Sequence, residues 1–123
     1  MTFVFKAIDH IQLAAPRGSE EMARRFFGEI LGLKEIEKPV ALKNRGGVWF
    51  GFGSYQLHIG IEEPFSPAKK AHPAFTVNNI HSLKQHLSEN NVSFTEDDHL
   101  PGATRIFIND PFGNRIEILE WLK

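Results

Sequence analysis

Apolar and polar residues alternate with a period of two along most of the chain, and two stretches with helical spacing interrupt the alternation. Residues 7–15, AIDHIQLAA, predict a first strand with Ile11 and Leu13 on one face and His10 and Gln12 on the other. PRGSEE then turns into a helix, with Ser19 as the expected N-cap and Glu20 and Glu21 at the positive end of the helix dipole. Met22, Phe26, Phe27, Ile30 and Leu31 form its apolar stripe, and Gly32 fits just past its end. A short strand near residues 34–36, the turn KNRGG, the strand VWFGF and the strand QLHIGIE (56–62) follow.

The second half repeats the plan. HPAFTV (72–77) predicts a strand, and NNIHSLKQHLSENN a helix with Asn78 or Asn79 as cap and Ile80, Leu83 and Leu87 on its buried face. VSFTE is a short strand, and TRIFIN and RIEILEW make a hairpin around DPFGN. The order is therefore βαβββ followed by βαβββ. It predicts a single α+β domain over residues 1–123, with module one at about 5–63 and module two at about 70–123, each a curved sheet with a helix on one face.

One strand face is purely apolar and suits the helices. The other carries His10, Gln12, Trp49, Gln56, His58, His72, Arg105, Phe107, Arg115 and Glu117. A flat solvated face would favour Lys and Glu over Trp49 and Phe107, so this mixture predicts a concave wall around a cavity. In the bland reading, Glu117 faces water and Arg105 or Arg115 closes an ion pair. In the sharper one, either arginine clamps a carboxylate or phosphate. His81 and His86 fall on the solvated side of the second helix, and His99 on a loop.

Composition narrows the field. Apolar residues make up 41% of the chain, 11 of them Phe, which suits a globular core. The formal charge of −1 gives no electrostatic reason to expect nucleic acid or an anionic membrane. No apolar run approaches a membrane span, and MTFVFKAIDH does not read as a signal peptide. The absence of cysteine excludes disulfides and thiolate chemistry and fits a cytoplasmic protein.

The repeat sharpens the candidate chemistry. His72 follows His10 by 72 − 10 = 62 positions, and Glu117 follows His58 by 117 − 58 = 59, so imidazole or carboxylate groups recur at matching points. Two-fold packing of the modules would bring the four together, and four N/O donors of this kind suit a divalent transition ion.

DHIQLA, the Phe-rich helix ending LGL, HPAFTV and NDPFGNRIEI together resemble the vicinal oxygen chelate superfamily, which includes glyoxalase I, extradiol dioxygenases, and fosfomycin- and bleomycin-resistance proteins. The resemblance covers essentially the whole chain. It implies paired modules forming an open, cupped barrel around one divalent ion (Zn, Ni, Mn, Fe or Co). It places His10, His72 and Glu117 at the family's recurring ligand positions. His58 falls where glyoxalase I has a second glutamate, so little isomerase activity is expected on the hemithioacetal of methylglyoxal. The expected function is metal-dependent chemistry of lyase, isomerase, transferase or dioxygenase type on a small oxygen-rich molecule. Glu117 would be the base, and Gln12, Trp49, Arg105, Phe107 and Arg115 the substrate contacts. The alternative is a metal-free protein that sequesters a small aromatic compound. Open sheet edges in so small a chain predict a homodimer, with modules paired within a chain or exchanged across the two-fold.

Overall fold

A computed structural model describes residues 2–123 and contains two four-stranded sheets, neither closed into a barrel. The first comprises β1 (Ile11–Ala15), β2 (Lys34–Ile36), β3 (Val48–Phe52) and β4 (Tyr55–Ile61), in the order β1-β4-β3-β2. The second comprises β5 (Ala74–Thr76), β6 (Thr95–Asp97), β7 (Ala103–Asn109) and β8 (Arg115–Trp121), in the order β5-β8-β7-β6. In each sheet the first strand pairs parallel with the last, and the remaining pairs are antiparallel.

Both opening strands are shorter than their alternation predicts, because a ladder needs a partner. The ladder of β1 with β4 runs from Ile11↔Leu57 to Ala15↔Ile61; continued backward, its register would set residues 7 and 8 against Gly53 and Ser54, in the β3–β4 turn, so no strand forms there. β5 starts after His72–Pro73, where proline has no N–H to donate; the Pro73 carbonyl still accepts from the Glu117 N–H at 3.0 Å.

The first helix, α1 (Glu20–Ala23), runs on as a π-helical stretch, Arg24–Ile30. The Leu31 N–H bonds to the Phe26 carbonyl five residues back. This wider turn rotates the first turn relative to the expected stripe, so Ala23 is buried and Met22 is 53% exposed. Ser19 departs from its expected role. Its ψ of 2° turns the hydroxyl away from the helix N–H groups, and the Oγ is buried without a partner. Gly32, at φ +78°, ends the helix as expected. The stretch containing KNRGG, expected as a turn, winds into a 3-10 helix, Val40–Arg45, before Gly46.

The second helix, α2 (Ile80–Glu89), is capped by Asn79, whose side chain accepts from the Ser82 N–H. The Glu120 carboxylate accepts from the N–H groups of Asn79 and Ile80 at 2.8 and 3.0 Å, which holds its pKa below the ordinary value.

One continuous core joins the two modules. It contains Leu13, Phe27, Phe50, Leu57 and Ile59 from the first, and Ile80, Leu87, Ile106, Ile116 and Ile118 from the second. Phe52 meets Phe75 edge-on at 5.6 Å, and the His86 ring, expected only to be solvated, hydrogen-bonds the Ile30 carbonyl at 2.7 Å. The strongest polar clasp is the β7–β8 turn. Asp110 Oδ1 accepts from the Phe112 and Asn114 N–H groups, and Asn114 Nδ2 donates to the Ala14 carbonyl of β1 at 2.7 Å. The modules thus meet through their apolar faces, and their polar strand faces are left for the site.

Candidate metal and ligand site

Sheet register places the polar residues in matching rows. In the first sheet, Gln12, His58 and Trp49 lie side by side on β1, β4 and β3. In the second, Ala74, Glu117 and Phe107 occupy the corresponding places on β5, β8 and β7. His10 precedes the first row and His72 the second by the same two positions. The pseudo-repeat legible in the sequence is therefore also a repeat in space.

His72 and Glu117 form one donor pair. Their Nε2 and Oε1 atoms are 2.8 Å apart, with the side chains 23% and 10% exposed. The other ring nitrogen, Nδ1, lies 2.8 Å from the Lys70 carbonyl, which can only accept, so Nδ1 carries the proton. In a neutral ring Nε2 then presents a lone pair to a carboxylate oxygen. Two acceptors at 2.8 Å need a shared cation, either a proton or a metal ion. Two ligands about 2.1 Å from one ion and about 90° apart are themselves about 3 Å apart, so the pair fits a chelating edge. The remaining carboxylate oxygen, Oε2, accepts from Arg105 Nη1 at 3.3 Å. A backbone carbonyl behind the imidazole is the usual support for a metal-binding histidine.

His10 and His58 form the second pair, with different geometry. The His10 Nδ1–H donates to the Asp9 carboxylate at 2.9 Å, which leaves Nε2 as the lone-pair nitrogen, as in His72. His58 is sandwiched between two rings. Trp49 lies parallel at 3.6 Å (4°) and His10 stacks at 4.1 Å (19°). A ligating imidazole holds its metal close to the ring plane. An ion in the His10 plane would lie about 4 Å out of the His58 plane, so one ion does not serve both rings in this stack. His58 is 4% exposed, and its Nε2 bonds to Gln56 Oε1 at 2.8 Å. Burial, followed by the nearby His10, pushes its pKa down, so it is a neutral, packed prop behind His10. Gln12 lies over Gly60, where an added Cβ would come within 2.6 Å of its amide.

Among the described residues of one chain, no three His, Cys, Asp or Glu side chains group closely enough to hold a metal ion. The two donor pairs stand apart, one on each sheet. Between the sheet edges, beside His10, lies a cleft of about 270 Å³ walled by Phe52, Tyr55 and Phe75.

The arginines divide. Arg105 is occupied, with Nη2 2.9 Å from Asp97 and Nη1 on Glu117. The Arg105 hydrogen bond, followed by the His99 N–H, holds the Asp97 carboxyl at about 2, against an ordinary 3.8. Because the folded value is the lower one, the pair contributes fully above about pH 3.8 and is lost as pH falls through about 2. A carboxyl chemical-shift titration of Asp97 is expected to show a midpoint near 2; a midpoint near 3.8 would mean that the pair does not form in solution. Arg115 lies 4.1 Å over the Phe107 ring. His81 and His99 are exposed and join neither pair, although His99 approaches Asp97 at 3.6 Å. Alternation already placed Gln56 on the polar strand face, whereas Asp9 and Asp97, which also orient site side chains, carried no such mark; only the adjacency of Asp9 and His10 was a usable signal.

A family model described as Glyoxalase/Bleomycin resistance protein/Dioxygenase superfamily matches residues 7–118. No curated protein matches the chain. Among solved structures, a protein assigned to the glyoxalase family from Bacillus anthracis is 49% identical over 98% of this chain and 99% of its own, with a TM-score of 0.96. A glyoxalase family protein from Enterococcus faecalis is 25% identical over 94% and 98%, with a TM-score of 0.75. A glyoxalase/dioxygenase from Nostoc punctiforme, 22% identical over 100% and 99% with a TM-score of 0.80, shares the fold.

Proposed function

The chain belongs to the glyoxalase/bleomycin resistance protein/dioxygenase superfamily, and on that footing we propose that it is a divalent-metal-dependent enzyme acting on a small, oxygen-rich molecule. The observation that carries this reading is the pair of facing acceptors, His72 Nε2 and Glu117 Oε1, 2.8 Å apart, with each of their far sides already hydrogen-bonded. His72, Glu117 and His10 would hold the ion, with His58 stacked behind His10. A divalent ion there would act as a Lewis acid toward neighbouring substrate oxygens and stabilise the negative charge that develops on them. Glu117 is the candidate base for a proton next to a carbonyl, with Arg105 fixing the orientation of its carboxylate.

The ion would draw on His10 as well as on the His72–Glu117 pair, and one chain keeps them apart. We infer that two chains associate, so that the first module of one faces the second module of the other. Unpartnered apolar surface supports this. Phe3, Val4, Phe5 and Ile8, just ahead of His10, are 62–93% exposed, and Trp121 and Leu122 are 55% and 63% exposed. Light scattering at tens of micromolar is expected to give twice the 14.0 kDa chain mass; a strictly monomeric mass would remove this route to the site.

The aromatic cleft beside His10 favours a second reading, a metal-free protein sequestering an aromatic compound. Elemental analysis of untagged protein separates the two: about one divalent ion per assembled site supports the enzyme, and none after loading with Zn, Ni, Mn, Fe or Co supports sequestration. No helix among the described residues is long and apolar enough to cross a membrane.

A further inference from the structure

Two cations, Arg115 on β8 and Lys69 in the connector before β5, lack carboxylate partners. Arg105, two positions from Phe107 on β7, is bound to Asp97 and Glu117. Arg115 and Lys69 take part in none of the ion pairs formed among the described residues. Both line one open cleft of about 270 Å³, together with Phe107, Asn109 and Thr95. The one acid on its wall, Asp97, is already neutralised by Arg105. The Arg115 guanidinium is half-buried against the Phe107 ring, which fixes its plane while leaving its N–H fork unpaired. A half-buried, preoriented guanidinium with a lysine across the cleft and no counter-ion is an anion receptor.

We propose that this cleft binds the anionic end of the substrate, a carboxylate or phosphate-type oxyanion, through Arg115 and Lys69. The inference rests on the metal-dependent reading above and adds to it the substrate class. Arg115 and Glu117 are two positions apart on one strand, so their side chains leave the same face about 7 Å apart. A molecule gripped at Arg115 therefore extends its other oxygens toward Glu117 and His72. The substrate is a short organic anion whose charged group lies a few bonds from its reacting oxygens. Arg105, tied to both acids, positions Glu117 rather than holding substrate.

The test uses the full chain, both as isolated and after dialysis against a chelator, titrated calorimetrically with inorganic phosphate and, separately, with acetate, against chloride at matched ionic strength. The expected result is saturable binding of at least one of these ions that survives removal of metal, and the two arms identify which oxyanion fits better. Arg115→Gln is expected to weaken it about tenfold or more, the loss of a charge-assisted bidentate contact. Lys69→Gln, on an exposed loop where folding is not at stake, is expected to weaken it less but measurably. Arg25→Gln, on the exposed helix surface, is expected to leave it unchanged. No binding above chloride, or binding that both Arg115→Gln and Lys69→Gln leave intact, overturns the proposal. Binding that disappears with the metal but persists in Arg115→Gln also overturns it, and leaves the metal reading standing.

Discussion

Glu117→Gln is expected to lower affinity for a divalent ion by more than about 100-fold, because even the outer partners of metal ligands are commonly worth ~10–100-fold. The substitution keeps the shape of the side chain and removes its charge and basicity. Glu117 is 8% exposed and touches His72 on one oxygen and Arg105 on the other, so the amide also leaves Arg105 with Asp97 as its sole carboxylate partner. Turnover is expected to fall with the metal. His72→Ala and His10→Ala are expected to behave alike, whereas His58→Ala is expected to cost less metal than His10→Ala, since His58 is stacked between Trp49 and His10. Competition against a chelating dye measures all four. A solvated carboxylate would change stability by no more than about 0.5 kcal/mol and leave binding untouched; that outcome for Glu117→Gln would remove the metal site from this sheet. Metal loss in His58→Ala equal to that in His10→Ala would mean that the ring stack opens and His58 is a ligand.

The largest effect on stability is expected at a residue that is not a candidate ligand, in Asn114→Ala. Asn114 is 1% exposed. Its Nδ2 donates to the Ala14 carbonyl and to Asp110 Oδ2, and its Oδ1 accepts from the Ala68 N–H at 3.0 Å. These bonds tie the hairpin turn to β1 in the other module and to the connector between the modules. Alanine removes all three and strands a buried carboxylate oxygen together with a part-buried carbonyl and N–H. Burial already pushes the Asp110 pKa up, and Asn114 is the largest opposing influence. A loss of about 3 kcal/mol is expected, seen in urea as a lower midpoint at unchanged slope. A loss under about 1 kcal/mol would mean that water replaces the amide and the clasp contributes little.

Period-two alternation was enough to place β3, β4, β7 and β8 to within a residue or so, because each is a long strand with an apolar face against the core. The duplication was legible for the same reason, and with it the equivalence of His10 with His72 and of His58 with Glu117. Strand ends were not legible. β1 and β5 end short of their alternating pattern, because a strand's extent is set by the ladder it forms with its neighbour and not by either segment alone. The π-helical turn was hidden too, since choosing between i→i+4 and i→i+5 bonding depends on how Phe26 and Phe27 pack together against the sheet.

The site divides along the same line. Local sequence determined which side chains stand on the polar strand face, because alternation fixes the side of a sheet to which each residue points. It could not determine their partners. The stacking of His58 between Trp49 and His10, the capture of Arg105 by Asp97 and Glu117, and the freedom of Arg115 all follow from cross-strand neighbours brought together by register. Which faces the two modules turn toward each other was likewise a tertiary decision. Their apolar faces meet within the chain because burying that surface is the larger gain, and the two donor pairs are left on separate sheets.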